Sequence, residues 1–203
     1  MPSLAHPGGN ITGVSIDAGL QIWGKRLELL REALPKLSNA SFLVPKSFWE
    51  RPEASAVREA ANQARISLPG ALLDSPISEA AYQLVFVSMK QDQVDGLVVS
   101  SDPEHIANRV LIVELVAKNG IPAIYPYREF TEVGGLLAYS IDLGETARRI
   151  ADIVDKVLKG ANPGNVTFFQ QTKFELIVNL KTSKALGLEI PPTLVARADE
   201  VIE

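Results

Sequence analysis

The sequence has no cysteine and few histidines, and each shortage removes a class of chemistry. Without cysteine the chain has no thiol nucleophile, no disulfide and no thiolate metal ligand. His6 lies in a polar segment and His105 in the first turn of a predicted helix, and neither has the partners of a nucleophile–base pair. Neither Gly8-Gly9 nor Gly134-Gly135 precedes the lysine and threonine of a phosphate-binding loop. We therefore expect no enzyme activity, no cofactor and no metal.

An excess of positive charge and long apolar runs are also missing. The formal net charge of -4 gives no field that would attract nucleic acid, so we expect no nucleic-acid partner. No apolar run approaches the roughly 20 residues that span a bilayer. Residues 1–10 are polar and contain Pro7-Gly8-Gly9, unlike a signal peptide. A chain complete as written is therefore expected in the cytoplasm.

What the sequence does contain is a regular alternation of strand and helix patterns. This order predicts an α/β fold in which helices flank a parallel sheet. Strands are predicted over residues 42–44, 67–73, 97–99, 122–125, 136–141, 166–170 and 174–180. Helices are predicted over residues 23–37, 52–65, 103–119, 144–159 and 182–186, with a further one capped by Ser78. Pro69 cannot donate to a central ladder, so the strand over 67–73 is predicted at an edge. Leu84 and Val110 are predicted on the inner faces of their helices.

Polar and aromatic side chains follow several of the predicted strands. Ligands of open parallel sheets bind beyond the carboxyl ends of the strands. The candidate ligand-binding residues at these positions are Lys46, Ser100, Ser101, Asp102, Tyr125, Tyr127, Arg128 and Asp142. A tyrosine ring can stack on a ligand ring, arginine or hydroxyls can take a carboxylate, and aspartate can take an ammonium group. The set therefore predicts a site for a small zwitterionic molecule.

Each candidate residue also has a purely structural interpretation. Asp102 and Asp142 are placed to cap helices, and the two serines to complete a turn. The tyrosine rings can pack against a helix with their hydroxyls in water. Arg128 can form a surface ion pair with Glu129. A cation site built from Asp102, Glu129 and Asp142 is the weaker interpretation, because strand ends and helix caps account for all three.

Five segments go beyond a generic α/β pattern. They are Leu4–Gly13, Gly24–Leu30, Tyr127–Phe130 with Gly134–Leu136, Lys173–Thr182 and Ala185–Pro192. Together they resemble the ABC-transporter substrate-binding proteins related to binders of tryptophan and other aromatic amino acids. The similarity covers essentially the whole chain, and its last block is the most specific part.

The resemblance implies a type I periplasmic-binding fold of two doubly wound lobes that close on a ligand by a hinge. By that comparison residues 1–13 are a linker, residues 14–141 a complete ligand-binding lobe, and residues 142–203 a crossover helix and C-terminal segment partly belonging to the other lobe. Members of the family are longer, so we expect this chain to lack most of the N-terminal lobe. The implied function is capture of a small polar or amino-acid-like solute, without chemistry, for an ABC permease outside the cytoplasm.

The missing lobe would leave one helix without its cover. The helix over 144–159 would expose Ala147, Ile150, Val154 and Val157, and an apolar patch of this kind predicts association. We therefore expect a homodimer. One alternative is a truncated ligand-sensing or dimerisation module without a transport role, since the same fold serves as the effector domain of regulators. Another is an enzyme of flavodoxin-like architecture, which would need a cofactor.

Overall fold

The computed structural model describes residues 3–15, 19–171 and 173–203. Contacts between residues divide the chain into two compact units. The small unit comprises Met1–Gly19 and Ile141–Phe174, and the sheet unit comprises Leu20–Ser140 and Glu175–Glu203. The C-terminal segment from Glu175 thus belongs to the sheet unit. The sequence-based division at residues 13 and 141, and the assignment of part of 142–203 to another lobe, stay predictions.

The strands and helices follow one another in the predicted alternating order. The strands are β1 (Val14–Ser15), β2 (Ala40–Pro45), β3 (Gly70–Leu73), β4 (Gly96–Val99), β5 (Ala123–Tyr125), β6 (Leu137–Ile141), β7 (Phe169–Gln170), β8 (Phe174–Asn179) and β9 (Glu200–Ile202). The helices are α1 (Gln21–Ala33), α2 (Lys46–Trp49), α3 (Pro52–Ala64), α4 (Glu79–Gln91), α5 (Pro103–Ala107), α6 (Arg109–Asn119), α7 (Arg128–Glu132), α8 (Leu143–Leu158), α9 (Leu180–Ala185) and α10 (Pro192–Val195), with a 3₁₀ turn at Pro163–Asn165.

The main sheet has the strand order β3-β2-β4-β5-β6-β8-β9. The pairs β3–β2, β2–β4, β4–β5, β5–β6 and β8–β9 are parallel. Parallel pairing from β2 to β6 brings the carboxyl ends of these strands to one edge of the sheet. The edge position of β3 is confirmed: Pro69, just before the strand, accepts a hydrogen bond from the backbone of Phe42 (3.0 Å) and donates none.

Helices cover both faces of the sheet and bury large side chains there. On one face α1 contributes Trp23 and Leu27, and the Trp23 ring meets the Phe42 ring edge-on at 6.0 Å. On the other face a continuous cluster includes Tyr82 and Phe86. α1 ends before Pro35, earlier than predicted, because the residues just before a proline leave the helical region.

Two predicted inner-face positions are wrong. Leu84 is 70% exposed, since the buried stripe of α4 runs through Tyr82, Phe86 and Met89. Val110 is exposed because the helix predicted over 103–119 is divided at Asn108 into α5 and α6. The second piece therefore turns a different face inward from the one a single helix would present.

The small unit is built around α8 and the parallel pair β1–β7. The backbone of Gly8 donates to the carbonyl of Gly164 at 3.1 Å, and Thr167 Oγ1 donates to the carbonyl of Ala5 at 3.1 Å. α8 is strongly amphipathic, yet three of its apolar side chains, Ile150, Val154 and Leu158, are 48%, 50% and 82% exposed. Of the four side chains predicted to be exposed, Ala147, Ile150 and Val154 are exposed and Val157 is half-buried.

None of the helices in the described part of the chain combines the length and the apolar character that crossing a bilayer needs.

Candidate ligand-binding site

The carboxyl ends of β2 and β3 carry an exposed ion pair. Lys46 opens α2 directly after β2, and its Nζ lies 2.7 Å from Oδ2 of Asp74, which follows β3. Both side chains are largely exposed, so water and salt screen their attraction. Lys46 therefore stands at the predicted edge with its charge already matched by a neighbour.

The carboxyl end of β4 places three predicted residues in sequence. Ser100 is fully buried, and its backbone N–H donates to the carbonyl of Leu43 at 3.0 Å. Ser101 is half-buried. Asp102 caps α5, since its Oδ1 accepts from the backbone N–H of Glu104 at 2.9 Å. The predicted cap is confirmed, and Asp102 follows the carboxyl end of β4.

The two predicted tyrosines after β5 have different surroundings. Tyr125 is fully buried, and its ring stacks on Phe130 with the centroids 4.8 Å apart. Burial raises the pKa of the Tyr125 hydroxyl, which stays protonated. Tyr127 is half-buried, and its hydroxyl lies near the Ser101 side chain, after β4. Burial also raises the pKa of Tyr127. Of the two, Tyr127 presents a partly accessible ring.

Arg128 is held by carboxylates other than the one expected. Its guanidinium pairs with Glu132 at 3.5 Å, with Glu175 at 3.2 Å and with Glu200. The alternative of an ion pair between Arg128 and Glu129 is not what the structure contains: Glu129 turns inward. Like Lys46, Arg128 has its charge balanced by the protein.

Asp142 belongs to the small unit, where it caps α8. Its Oδ1 accepts from the backbone N–H of Glu145 at 2.8 Å, which confirms the predicted cap. Its carbonyl accepts from Gln171 Nε2 at 3.4 Å. The same unit holds a pocket of about 380 Å³, lined in part by Arg149, Lys156 and Phe169. The pocket consists of residues that the sequence did not single out.

One residue of this edge escaped the sequence-based prediction. Arg26, in α1, is only 3% exposed. Its Nε donates to the carbonyl of Tyr139 at 3.0 Å, its Nη2 donates to the carbonyl of Pro126 at 3.3 Å, and its guanidinium lies 4.8 Å from the centroid of the Trp23 ring. Burial lowers its pKa to about 10, so the charge persists at neutral pH. The sequence contained a sign of this burial: Arg26 follows Trp23 by three residues, which places it on the apolar stripe of α1.

Several buried polar atoms belong to residues in or near β4, β5 and β6, or to Arg26, which reaches Pro126 and Tyr139 from α1. We call them the strand-end polar set, and within the described residues none has a hydrogen-bond partner: Ser100 Oγ, Tyr125 OH, Glu129 Oε2, Ser140 Oγ and Arg26 Nη1. Buried polar atoms in folded proteins are normally paired with protein or with water. The set therefore contains hydroxyl, carboxylate and guanidinium atoms that lack a hydrogen-bond partner among the described residues.

The nearby histidine does not supply an acid–base catalyst. His105 Nδ1 lies 2.8 Å from the hydroxyl of Tyr82, and both side chains are buried. Burial lowers the pKa of His105 to about 4, so the ring is neutral at pH 7. In the described ranges no group of three or more histidine, aspartate or glutamate side chains is placed to hold a metal ion. The arrangement suits binding by hydrogen bonds and ring contact.

The fold and the edge it creates are those of a known class of binding protein. Solved structures that align with this chain are type I periplasmic binding proteins, which confirms the predicted α/β fold class. The family model described as "ABC transporter substrate binding protein" matches residues 1–202, and the chain belongs to this family. Members of the family are substrate-binding proteins.

Three relatives illustrate the range of similarity. A tyrosine-binding protein of Clostridioides difficile is 24% identical over 190 residues, which are 92% of this chain and 52% of the relative. A domain from Streptococcus pneumonia solved in complex with L-Trp is 23% identical, with a TM-score of 0.81 over 98% of this chain and 67% of that one. A substrate binding protein with adhesive properties from Clostridium difficile, solved open and ligand-free, is 21% identical, with a TM-score of 0.69 over 99% and 65%. The chain thus spans about half the length of the curated relative it matches.

Proposed function

We propose that this chain is the solute-binding component of an ABC importer, and that it captures an amino-acid-like molecule without chemical change. The observation that carries the proposal is the strand-end polar set: its residues lie in or near the strand ends, and ligands of open parallel sheets bind beyond those ends. Family membership supports the importer role. The relatives solved or described with tyrosine and L-Trp support an aromatic amino acid as the solute.

The predicted site residues take different roles in this proposal. Tyr127 supplies a ring face, and Ser101 and Asp102 supply polar contacts beside it. Ser100 and Tyr125, whose side chains are both buried, contribute their hydroxyls from below the surface. Lys46 and Arg128 act at the rim, where their carboxylate partners moderate their charge. The ligand role predicted for Asp142, which belongs to the small unit, stays a prediction and is not part of this proposal.

The remaining parts of the proposal follow from the family. An ABC permease is the expected protein partner, and the expected location is outside the cytoplasmic membrane, where substrate-binding proteins of importers meet their solutes. No reaction is assigned to the site, because binding proteins release the molecule they capture.

Thermal unfolding with a panel of solutes tests the proposal. The panel contains aromatic amino acids, aliphatic amino acids, purines and sugars. A ligand at 100 times its dissociation constant stabilises the folded state by about 2.7 kcal/mol. For a chain of this size that raises the melting temperature by roughly 5 to 10 °C. A selective rise with aromatic amino acids is expected. A cooperative melt that no amino acid shifts would refute the proposed solute class.

The alternative of a ligand-sensing or dimerisation module is favoured by one observation, the exposed apolar face of α8. Under this alternative the chain associates through Ile150, Val154 and Leu158 and binds solutes weakly. Solute affinity and molar mass, measured on the same sample, separate the two functions. Tight binding of an amino acid by a monomer supports transport, and a stable dimer that binds none supports the module.

A further inference from the structure

We propose that Arg26 is the residue that recognises the acid group of the solute, so that this site selects molecules carrying a carboxylate. The inference rests on the proposed function and deepens it. It assigns the ligand's anionic group to a buried arginine in α1, and not to the exposed cations that the sequence pointed to.

Charge balance is the first argument. Arg26 is almost fully buried, and no carboxylate in the part of the chain that the structure describes forms an ion pair with it. A buried charge is normally paired, because removing it from water is costly. Lys46 and Arg128, by contrast, already have carboxylate partners. Arg26 is therefore the cation of this edge that gains most from an anionic ligand group.

Geometry is the second argument. Two of the guanidinium nitrogens of Arg26 donate to the carbonyls of Pro126 and Tyr139, after β5 and within β6. These bonds hold the head group against the residue that follows β5 and the middle of the neighbouring β6. The third nitrogen, Nη1, is left over as part of the strand-end polar set. A guanidinium fixed in this way presents its remaining N–H groups in a set direction, and carboxylate is the acceptor that matches it.

The surroundings favour a solute with a ring as well as an acid group. Tyr127 and Tyr139 lie near Arg26, and the Tyr139 carbonyl accepts from its Nε. Tyr127 is half-buried at the same strand end. One molecule with an aromatic ring and a carboxylate therefore fits both features.

Isothermal titration of the full chain with matched solutes tests the inference. L-tryptophan carries a carboxylate, tryptamine lacks it, and 3-indolepropionate keeps the carboxylate but lacks the ammonium group. The wild type is expected to bind L-tryptophan at least about tenfold more tightly than tryptamine, a difference of about 1.4 kcal/mol. Arg26→Met is expected to weaken L-tryptophan and 3-indolepropionate about tenfold or more and to change tryptamine little, so the preference for the acid disappears.

Two further variants make the result decisive. Arg26→Lys keeps a positive charge and is expected to retain part of the preference, which also covers the case in which Arg26→Met does not fold. Lys159→Met removes an exposed cation already paired with Asp155 and is expected to leave the preference intact. A folded Arg26→Met protein with the wild-type preference, or an equal loss in Lys159→Met, overturns the role of Arg26 while the binding function stands. A wild type that binds none of the three solutes, nor tyrosine, overturns the proposed function itself.

Discussion

At the scale of single residues, burial decides what each polar side chain can do. His105 and Arg26 are both ionisable and both buried, yet their charges differ at pH 7. The pKa of His105 falls to about 4 and the ring is neutral, whereas the pKa of Arg26 falls only to about 10 and the charge remains. Burial thus leaves His105 uncharged in the core, whereas Arg26 stays a buried cation close to β5 and β6.

The buried His105 predicts a pH dependence of stability. Its pKa is about 4 in the folded chain, against the ordinary 6.5 of an exposed histidine, so the unfolded state binds a proton that the folded state rejects. The free energy of unfolding should therefore be unaffected by this group above pH 6.5 and fall as the pH drops from 6.5 toward 4, by up to about 3 kcal/mol. Urea denaturation at a series of pH values measures this fall.

Comparison of two substitutions isolates the contribution of His105. His105→Asn should flatten the pH dependence between 4 and 6.5, although it lowers stability at every pH because it breaks the contact with Tyr82. His6→Gln replaces an exposed histidine and serves as the matched control, with a curve like that of the wild type. Equal slopes for His105→Asn and the wild type would show that another group titrates.

Tyr127 predicts a local effect on binding. Tyr127→Phe removes the hydroxyl near Ser101 but keeps the ring. In the proposed site this hydroxyl bonds the solute, and such a bond contributes about 0.5–1.5 kcal/mol, so affinity for an aromatic amino acid should fall roughly two- to tenfold. Ser47→Ala removes an exposed hydroxyl after β2 and should leave affinity unchanged. Unaltered binding by Tyr127→Phe, measured by titration calorimetry, would remove the hydroxyl from the site.

At the scale of the elements, Gly135 packs closely against Tyr125 of β5 and the carbonyl of Phe130. A Cβ added to Gly135 would lie 2.7 Å from the Tyr125 ring and 2.8 Å from the carbonyl of Phe130. These two residues form a stacked aromatic pair in the core. No side chain fits at position 135 without moving these neighbours, and a larger residue would displace the segment between them, which carries Tyr127.

Substitution of this glycine should couple stability to binding. Gly135→Ala is expected to lower the free energy of unfolding by about 1–3 kcal/mol, because the tyrosine or the backbone must shift. Solute affinity should fall with it. Gly120→Ala is the matched control: its φ of 64° strains alanine by about 1 kcal/mol, but a Cβ there meets nothing within 4 Å. Chemical denaturation and calorimetry should show lower stability in both and weaker binding only in Gly135→Ala.

The elements themselves were largely predictable from the sequence, and their inner faces less so. Ser78, Asp102 and Asp142 cap helices as predicted, because a short polar side chain before an apolar run satisfies the first free N–H groups. Leu84 was misplaced because hydrophobicity alone does not say which of two possible stripes of α4 meets the sheet. Tyr82 and Phe86 occupy the interior there because their larger rings fill the space beside the strands.

At the scale of the whole molecule, α8 gives the chain an apolar surface in the small unit. The predicted homodimer stays a prediction, and Ile150, Val154 and Leu158 are the residues through which it would form. Replacing Ile150 and Val154 together by glutamate places two charges in that surface, so a dimer should dissociate. Val110→Glu alters a single exposed apolar side chain in the sheet unit and should have no effect. Light scattering coupled to size-exclusion chromatography gives the masses, and a monomeric wild type would contradict the prediction.

The sequence by itself determined the class of this protein. The alternation of elements, the edge strand marked by Pro69, the helix caps and the family all follow from local patterns, which short-range sterics and hydrogen bonding control. The positions after the strands were also readable, because parallel strands end at one edge. Only the tertiary structure decided which of those residues have a polar atom or charge without a protein partner. Arg128 and Lys46 are neutralised by carboxylates distant in sequence, whereas Arg26, inside a helix, reaches the same edge with one nitrogen left over. Charge pairing depends on three-dimensional neighbours, and no local pattern specifies them.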